Sequence, residues 1–425
     1  MGRMAIVEGV RTPFIKSWTL FNDIPAQRLG AWCIQELIQK TEIDPTLVDE
    51  VILGCVGEPV EAANVSRVAS LYGGIPEEKP AYTINRNCAS GFEAVTSAYE
   101  KIKLGRDSVV LAGGTESMSN APFIFSKETG NLLLQLQKAK SLGARLNVIS
   151  KFRFKHFAPI PALKLALTDP VCGLGMGQTA EVLAKEFGIS REDQDAFALR
   201  SHQKAIEAKE RLKEEIMPVF VPPKYKEMIQ EDNGPREKQS MQALAKLKPA
   251  FDRKSGTVTA GNSSQITDGA CVLLVMDEDK AKSMGYEILG TVREYAYTGL
   301  DPSRMGLGPV FAIEKVLRLA SLKLQDMEIV EINEAFAVQV LACLEAISSA
   351  VFAKKYLPGS GPLGKINTDI LNVNGGGIAL GHPVGTSGAR LILTCLKEMK
   401  RRSLHRGLVS LCVGGGQGGA IILER

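Results

Sequence analysis

Cys88 stands in Asn87-Cys88-Ala89-Ser90-Gly91, where a strand-like run gives way to a helix-like one. A thiol at a helix start meets free backbone N–H groups and the positive end of the helix dipole. Both lower its pKa and favour the thiolate, the form that attacks a carbonyl carbon. The small neighbours Ala89 and Gly91 leave a substrate room to approach. Such a nucleophile needs a base. The chain has four histidines, and His382 is the one set in a glycine-dense loop, Asn374-Gly375-Gly376-Gly377-Ile378-Ala379-Leu380-Gly381-His382-Pro383-Val384-Gly385. His156, His202 and His405 lie among charged residues and read as surface groups. Cys412 closes an apolar run in Leu411-Cys412-Val413-Gly414-Gly415-Gly416, whose glycine N–H groups can face a ligand oxygen. Asn333, in Glu331-Ile332-Asn333-Glu334-Ala335-Phe336, falls where a strand meets a helix.

Singly, each has a plainer reading. Cys88 and Cys412 could be small core residues, and Asn333 an N-cap. Cys33, Cys55, Cys271, Cys343 and Cys395 read as core residues. The eight cysteines contain no CxxC pair and no Cys/His cluster at zinc spacing, so neither a zinc site nor a disulfide framework is expected.

The elements that must position these residues follow from hydrophobic periodicity. Residues 51–54 and 108–113 are strand-like, and between them Phe92, Val95, Ala98, Tyr99 and Ile102 recur at helical spacing. This order predicts βαβ units and a mixed or parallel sheet covered on both faces. The pattern returns near the C-terminus: a strand at 371–373, a glycine-rich turn, a helix over 387–399 and a strand over 407–413. Two similar halves are expected, with chemistry at their shared face. The length, 425 residues, allows two or three domain-sized units. The charge balance, 51 basic against 47 acidic residues, decides nothing about partners. The N-terminus enters a strand at once, so no leader is expected, and no apolar run reaches the roughly 18 residues that cross a bilayer.

The middle, about 126–255, breaks this rhythm. Residues 131–165 carry Leu132, Leu133, Leu134 and Leu136, then Lys138, Lys140, Arg145, Lys151, Arg153 and Lys155 with no acidic residue, interleaved with Phe152, Phe154 and Phe157. Such a stretch suits an anionic membrane surface, or a solvated helical hairpin over the site.

Taken together and in order, Cys88 in NCASG, Asn333 in NEAF, His382 in GHP and Cys412 in CVGGG resemble the thiolase family, over a span from Gly9-Val10-Arg11-Thr12-Pro13 to the last strand. Gly256-Thr257-Val258-Thr259-Ala260-Gly261-Asn262-Ser263-Ser264 and Asp268-Gly269-Ala270 resemble the family's segment beside pantetheine. Within the family, Lys138-Ala139-Lys140-Ser141-Leu142-Gly143, Leu146, Ile149 to Phe154 and Ala245 to Phe251 are similar to the β-subunit of mitochondrial trifunctional proteins and its bacterial counterparts. There are departures. Asn333 stands where trifunctional-type thiolases carry His. Ala243 replaces a serine that touches CoA in short-chain members, and Gly175 replaces a His before Met176 in them.

The resemblance implies an α/β thiolase fold: two similar βαβαβαββ halves in a five-layered αβαβα core with an inserted loop domain. The N-terminal half would span 1–125, completed by about 256–282. The loop domain would span 126–255 and the C-terminal half 283–425. The implied activity is thiolysis of medium- or long-chain 3-ketoacyl-CoA. Cys88 would be the nucleophile, His382 the base and Cys412 the acid. Oxyanion positions would fall at the N–H groups of Cys88 and Gly414, and at His382 with a water on Asn333. Ser264, Ala260, Met176 and Phe336 would contact CoA or substrate. CoA would be a substrate, with no metal or redox cofactor and no nucleic acid partner. The implied assembly is a homodimer, with an α-subunit of hydratase/dehydrogenase activity (α2β2) and peripheral membrane contact through 131–165. The compartment would be cytoplasmic in a bacterium, mitochondrial in a eukaryote. Two alternatives stay open: a short-chain acetoacetyl-CoA thiolase run towards condensation, and a ketoacyl or hydroxymethylglutaryl-CoA synthase of the same fold. Ketoacyl synthases carry His where Cys412 stands.

Overall fold

The computed structural model describes residues 2–425. Its frame is one ten-stranded sheet. The principal strands and helices, in chain order, begin with β1 (Met4–Arg11), α1 (Ala26–Thr41), β2 (Glu50–Gly54), α2 (Val65–Tyr72), β3 (Ala81–Ile84), α3 (Ser90–Lys103) and β4 (Val109–Ser117). The intervening segment holds α4 (Lys127–Lys138), α5 (Leu142–Ile149), α6 (Met176–Phe187) and α7 (Arg191–Glu207). Then come β5 (Thr267–Asp277), β6 (Gly290–Gly299), α8 (Gly308–Ala320), β7 (Ile329–Ile332), α9 (Ala337–Ser348), α10 (Ser387–Arg402), β8 (Arg406–Val413) and β9 (Gln417–Glu424).

The strand order is β7-β8-β9-β6-β1-β5-β4-β2-β3, and the short strand Ile15–Lys16, pairing with β5, is the tenth. In each half a parallel pair is followed by antiparallel neighbours: β2 with β4 and β4 with β5, β7 with β8 and β8 with β9. The halves join through β1 and β6, where Ala5 pairs with Thr291 and Ile6 with Gly290.

Alternation along the strands produces the layers. In the first half, Val51, Leu53, Leu111 and Val272 face α1, while Ile52, Ala112 and Leu273 face α3. In the second, Leu408 and Ile422 face α8, while Val409 and Ile421 face α10. α3 and α10 therefore lie between the two halves' sheets, and helices cover both outer faces. β5 reads TDGACVLLVMD and is buried from Thr267 to Met276, as a strand covered on both sides must be. α3 and α10 approach closely because glycine stands where they meet. A Cβ on Gly388 would lie 2.5 Å from the Phe92 backbone nitrogen, and one on Gly91 would lie 2.7 Å from the Gly385 carbonyl oxygen. That contact brings the start of α3 against the loop before α10.

The strand expected over 371–373 is reduced to a single bridge, Leu371 to Val330. Asn372 turns out of the extended region at φ 45° and spends its side chain on the Ile332 backbone N–H and carbonyl. His156 and His202, read from the sequence as surface groups, are both buried. His156 Nδ1 accepts the Arg153 N–H at 3.0 Å, and His202 Nδ1 accepts the Arg236 N–H at 3.3 Å, so each pins a loop. His405 is exposed. No single helix among the described residues is long and apolar enough to cross a membrane.

Candidate active site

The chain leaves β3 at Ile84 and enters α3 at Ser90 through an abrupt turn. Asn87 adopts φ 46°, a left-handed conformation that asparagine tolerates better than most residues. Ser90 closes the turn: its hydroxyl accepts the Arg86 N–H and donates to the Asn87 carbonyl. The Asn87 amide donates to the Gly414 carbonyl at 2.8 Å and ties the turn to the glycine run after β8. Cys88 is thereby presented at the floor of a cavity of about 800 Å³.

The electrostatics of this thiol differ from the expectation drawn from its helix start. Burial pushes its pKa up, and the N–H groups of Gly414 and of Cys88 itself pull back only part of the way. Desolvation of the charged form outweighs the local dipole. A thiolate here must be made by a base when it is needed.

His382 occupies the loop between residue 374 and α10. Its backbone N–H points at Thr267 Oγ1 and the Gln265 carbonyl on the approach to β5. Its Nδ1 lies 2.6 Å from Ser387 Oγ, whose own hydrogen goes to the Pro383 carbonyl at 3.0 Å. Ser387 thus accepts from Nδ1–H, and Nε2 keeps its lone pair. The Asn333 amide nitrogen is 3.4 Å from Nε2, and Asn333 Oδ1 is buried without a protein partner. Burial first, and the positive charge of Arg390 second, lower the imidazole pKa to about 4, so the ring is neutral at physiological pH. Glu116, on β4, holds this loop from the other side: it accepts N–H bonds from Gly385 at 2.8 Å, Gly57 at 2.8 Å and Val56 at 3.0 Å.

Cys412, at the end of β8, is fully buried. Burial raises its pKa well above the ordinary thiol value, with further increments from Cys88 and Cys343. It is therefore a proton-bearing thiol at neutral pH. One cavity holds a thiol flanked by two N–H groups, a neutral imidazole and a second, protonated thiol. That set can attack a thioester or ketone, take the nucleophile's proton and supply one to a carbanion.

Of the residues singled out in the sequence, Cys88, His382, Cys412, Ser264, Met176 and Phe336 line the cavity together. Phe336 packs edge-on to Phe251 at 6.0 Å. Asn333 is not in the wall; its amide nitrogen lies beside His382 Nε2. Gly414 contributes its N–H to Cys88 from the turn after β8. Ala260 is exposed and outside the lining. Ser387, Glu116, Thr267 and Arg390 went unnoticed in the sequence. Only Ser387 carried a local signal, a hydroxyl at the first turn of the helix that follows His382.

The family model described as thiolase, N-terminal domain matches residues 4–279, and that described as thiolase, C-terminal domain matches 286–425. The chain is 43% identical over 425 residues to a 3-ketoacyl-CoA thiolase of Pseudoalteromonas translucida (strain TAC 125), covering 99% of this chain and 97% of that protein. It is 41% identical to a 3-ketoacyl-CoA thiolase of Escherichia coli O157:H7, at the same coverage. Among solved structures, it is similar to a Bacillus anthracis acetyl-CoA acetyltransferase (TM-score 0.87, 36% identity, covering 100% of this chain and 99% of that one). It is also similar to human mitochondrial 3-ketoacyl-CoA thiolase in complex with CoA (TM-score 0.84, 35% identity, covering 100% and 98%).

Proposed function

Because the chain belongs to the thiolase family, an acyltransferase family, we propose that it is a 3-ketoacyl-CoA thiolase acting on medium- and long-chain substrates. The observation that carries this reading is the convergence of two thiols and one imidazole on one cavity: Cys88 beside two N–H groups, Cys412 kept protonated, His382 neutral. His382 takes the Cys88 proton, and the thiolate attacks C3 of the substrate. The C2–C3 bond breaks, leaving acyl-Cys88 and the enolate of acetyl-CoA, which takes its proton from Cys412. Protonated His382 returns its proton to the Cys412 thiolate. CoA then gives its thiol proton to His382 and attacks acyl-Cys88. The leaving Cys88 thiolate recovers that proton, and an acyl-CoA shorter by two carbons is released. The acyl oxygen sits at the N–H groups of Cys88 and Gly414, and the enolate oxygen at His382 and a water on Asn333. Each such donor contributes about 2.7–4 kcal/mol to lowering the barrier.

The cavity supports the longer chain. Apolar side chains such as Trp18, Phe123, Leu163 and Phe336 make up much of its wall. Thiolysis of 3-ketohexadecanoyl-CoA should proceed with a higher kcat/KM than that of acetoacetyl-CoA. One buried methylene is worth about 0.8 kcal/mol, so several contacts suffice for a ratio on the order of 100. Activity confined to acetoacetyl-CoA would instead indicate a short-chain enzyme.

Assembly belongs to the same proposal. β3 ends the sheet with its outer edge unpaired and is only half-buried, which supports pairing with a second copy in a homodimer. The resemblance to trifunctional β-subunits supports docking on an α-subunit. The segment after α4 supports contact with an anionic membrane: Leu142, Leu146 and Phe154 are 76%, 57% and 98% exposed beside Lys151 and Arg153. Neutralising Lys151, Arg153 and Lys155 together should weaken co-sedimentation with anionic liposomes by on the order of 100-fold, at about 1 kcal/mol per charge. Binding unchanged by the triple substitution would leave the segment as a solvated cover over the site.

A further inference from the structure

Beside the elements that hold His382 lies a buried arginine–glutamate pair that the reaction does not touch. Arg390 and Glu331 are both fully buried, and Arg390 Nη1 lies 3.6 Å from Glu331 Oε2. None of the three guanidinium nitrogens has a hydrogen-bond partner in the protein, nor has either carboxylate oxygen. Stability does not account for such a pair, because apolar residues of similar volume commonly leave a fold as stable or more so. Its position does. Glu331 is on β7, two residues before Asn333, which faces His382 Nε2. Arg390 is on α10, one turn after Ser387, which faces His382 Nδ1. The pair joins the two elements that grip opposite nitrogens of one ring.

We propose that Arg390 and Glu331 form a positioning pair for His382, fixing β7 against α10 so that the imidazole is held between Asn333 and Ser387 with a fixed positive charge nearby. The proposal rests on the reading of His382 as the base. Among the titratable and charged groups near the ring are Cys88 before α3, Glu116 on β4, Asp268 on β5, Glu331 and Glu334 on and after β7, Arg390 on α10, and Cys412 on β8. Of these, Arg390 is the one whose charge acts on the imidazole, and Arg390 itself feels Glu331, Glu215, Arg11 and Glu334. A cation there opposes formation of imidazolium. Removing it should therefore move the ring's titration upward. Burial already pushes the Glu331 carboxyl up to about 8, so it is protonated where the ring titrates, and replacing it by an amide should not.

The test reads the ring directly. In the full chain labelled with 13C-histidine, the His382 resonance is identified by its loss in His382→Ala and titrated by NMR, without substrate. kcat and KM are measured beside it. In Arg390→Met/Glu331→Leu the ring should titrate about one pH unit higher. kcat should fall roughly tenfold to 100-fold with KM little changed, since the ring is no longer held in register. Arg390→Lys keeps the charge and should titrate as the wild type. Glu331→Gln, nearly isosteric, should show no upward movement and serves as the informative variant if the double one fails to fold. Wild-type titration and kcat in the double variant would reduce the pair to packing. An upward shift in Arg390→Lys or Glu331→Gln as large as the double variant's would remove the charge from the account. Turnover surviving in His382→Ala would be a failure of the base assignment instead, and the resonance still reports whether Arg390 governs the ring.

Discussion

Cys88→Ala should lower thiolysis of any 3-ketoacyl-CoA by roughly 10⁵-fold or more, the scale seen when a covalent catalyst loses its nucleophile. No other group at the cavity floor can take its place. Cys412 is more deeply buried and its pKa is pushed up further, without the pair of N–H groups that serve Cys88. His382 has its Nδ1 hydrogen committed to Ser387. The fold should survive, because the substitution removes one sulfur atom from a half-buried site and leaves the turn's hydrogen bonds, made by Asn87 and Ser90, untouched. Intact-mass spectra after incubation with substrate should show an acyl adduct on the wild type and none on the variant. Residual thiolysis at even one per cent of wild type, with an unchanged melting temperature, would move the nucleophile elsewhere.

The prediction depends on a term that the residues near Cys88 do not reveal. A thiol two residues before a helix reads as acidified, and the two N–H groups beside Cys88 do act in that direction. Desolvation is larger, and burial of the thiol depends on segments far apart in the chain that share its cavity, among them those of Met176, His382 and Cys412. The same holds for His382. Its glycine-dense loop marks it as special in the sequence, but its depressed pKa comes from burial and from Arg390, one helix turn beyond Ser387. Local spacing therefore singles out groups that the fold brings to one cavity, while the protonation state of each is a property of the assembled interior.

Legibility of the fold divides on similar lines. The repeated strand–helix–strand units could be read because their apolar positions alternate or recur every three to four residues, and those patterns answer to burial directly. The 371–373 segment broke the pattern because Asn372 uses its side chain as a strand partner, a contact that periodicity cannot register. His202 was misread for a different reason. Its charged neighbours face solvent, yet Ala198, Ser201 and Ala205 at helical spacing mark the buried face of α7 on which it lies. Glu116 and Arg390 had no local signature at all, because each acts through a partner more than 50 residues away in the chain.

Cys412→Ala should separate the two halves of the chemistry. Cleavage of the C2–C3 bond needs a proton for the departing enolate. Removing a positioned general acid typically costs roughly 10²- to 10⁴-fold, so thiolysis should fall by that amount. Exchange of labelled CoA into acetyl-CoA passes through the same acyl-Cys88 but forms no enolate. Its demands are met by Cys88, the N–H groups of Cys88 and Gly414, and His382, none of which the substitution removes. Exchange should therefore stay within roughly tenfold of wild type. The cavity left by one thiol, lined by Cys343 and the core beneath β8, is small and should cost on the order of 1 kcal/mol of stability. Equal losses in both reactions would mean that Cys412 supports the floor of the site rather than the proton transfer. Retention of both would mean that the proton comes from another group, and His382, once protonated by Cys88, is the one positioned to give it.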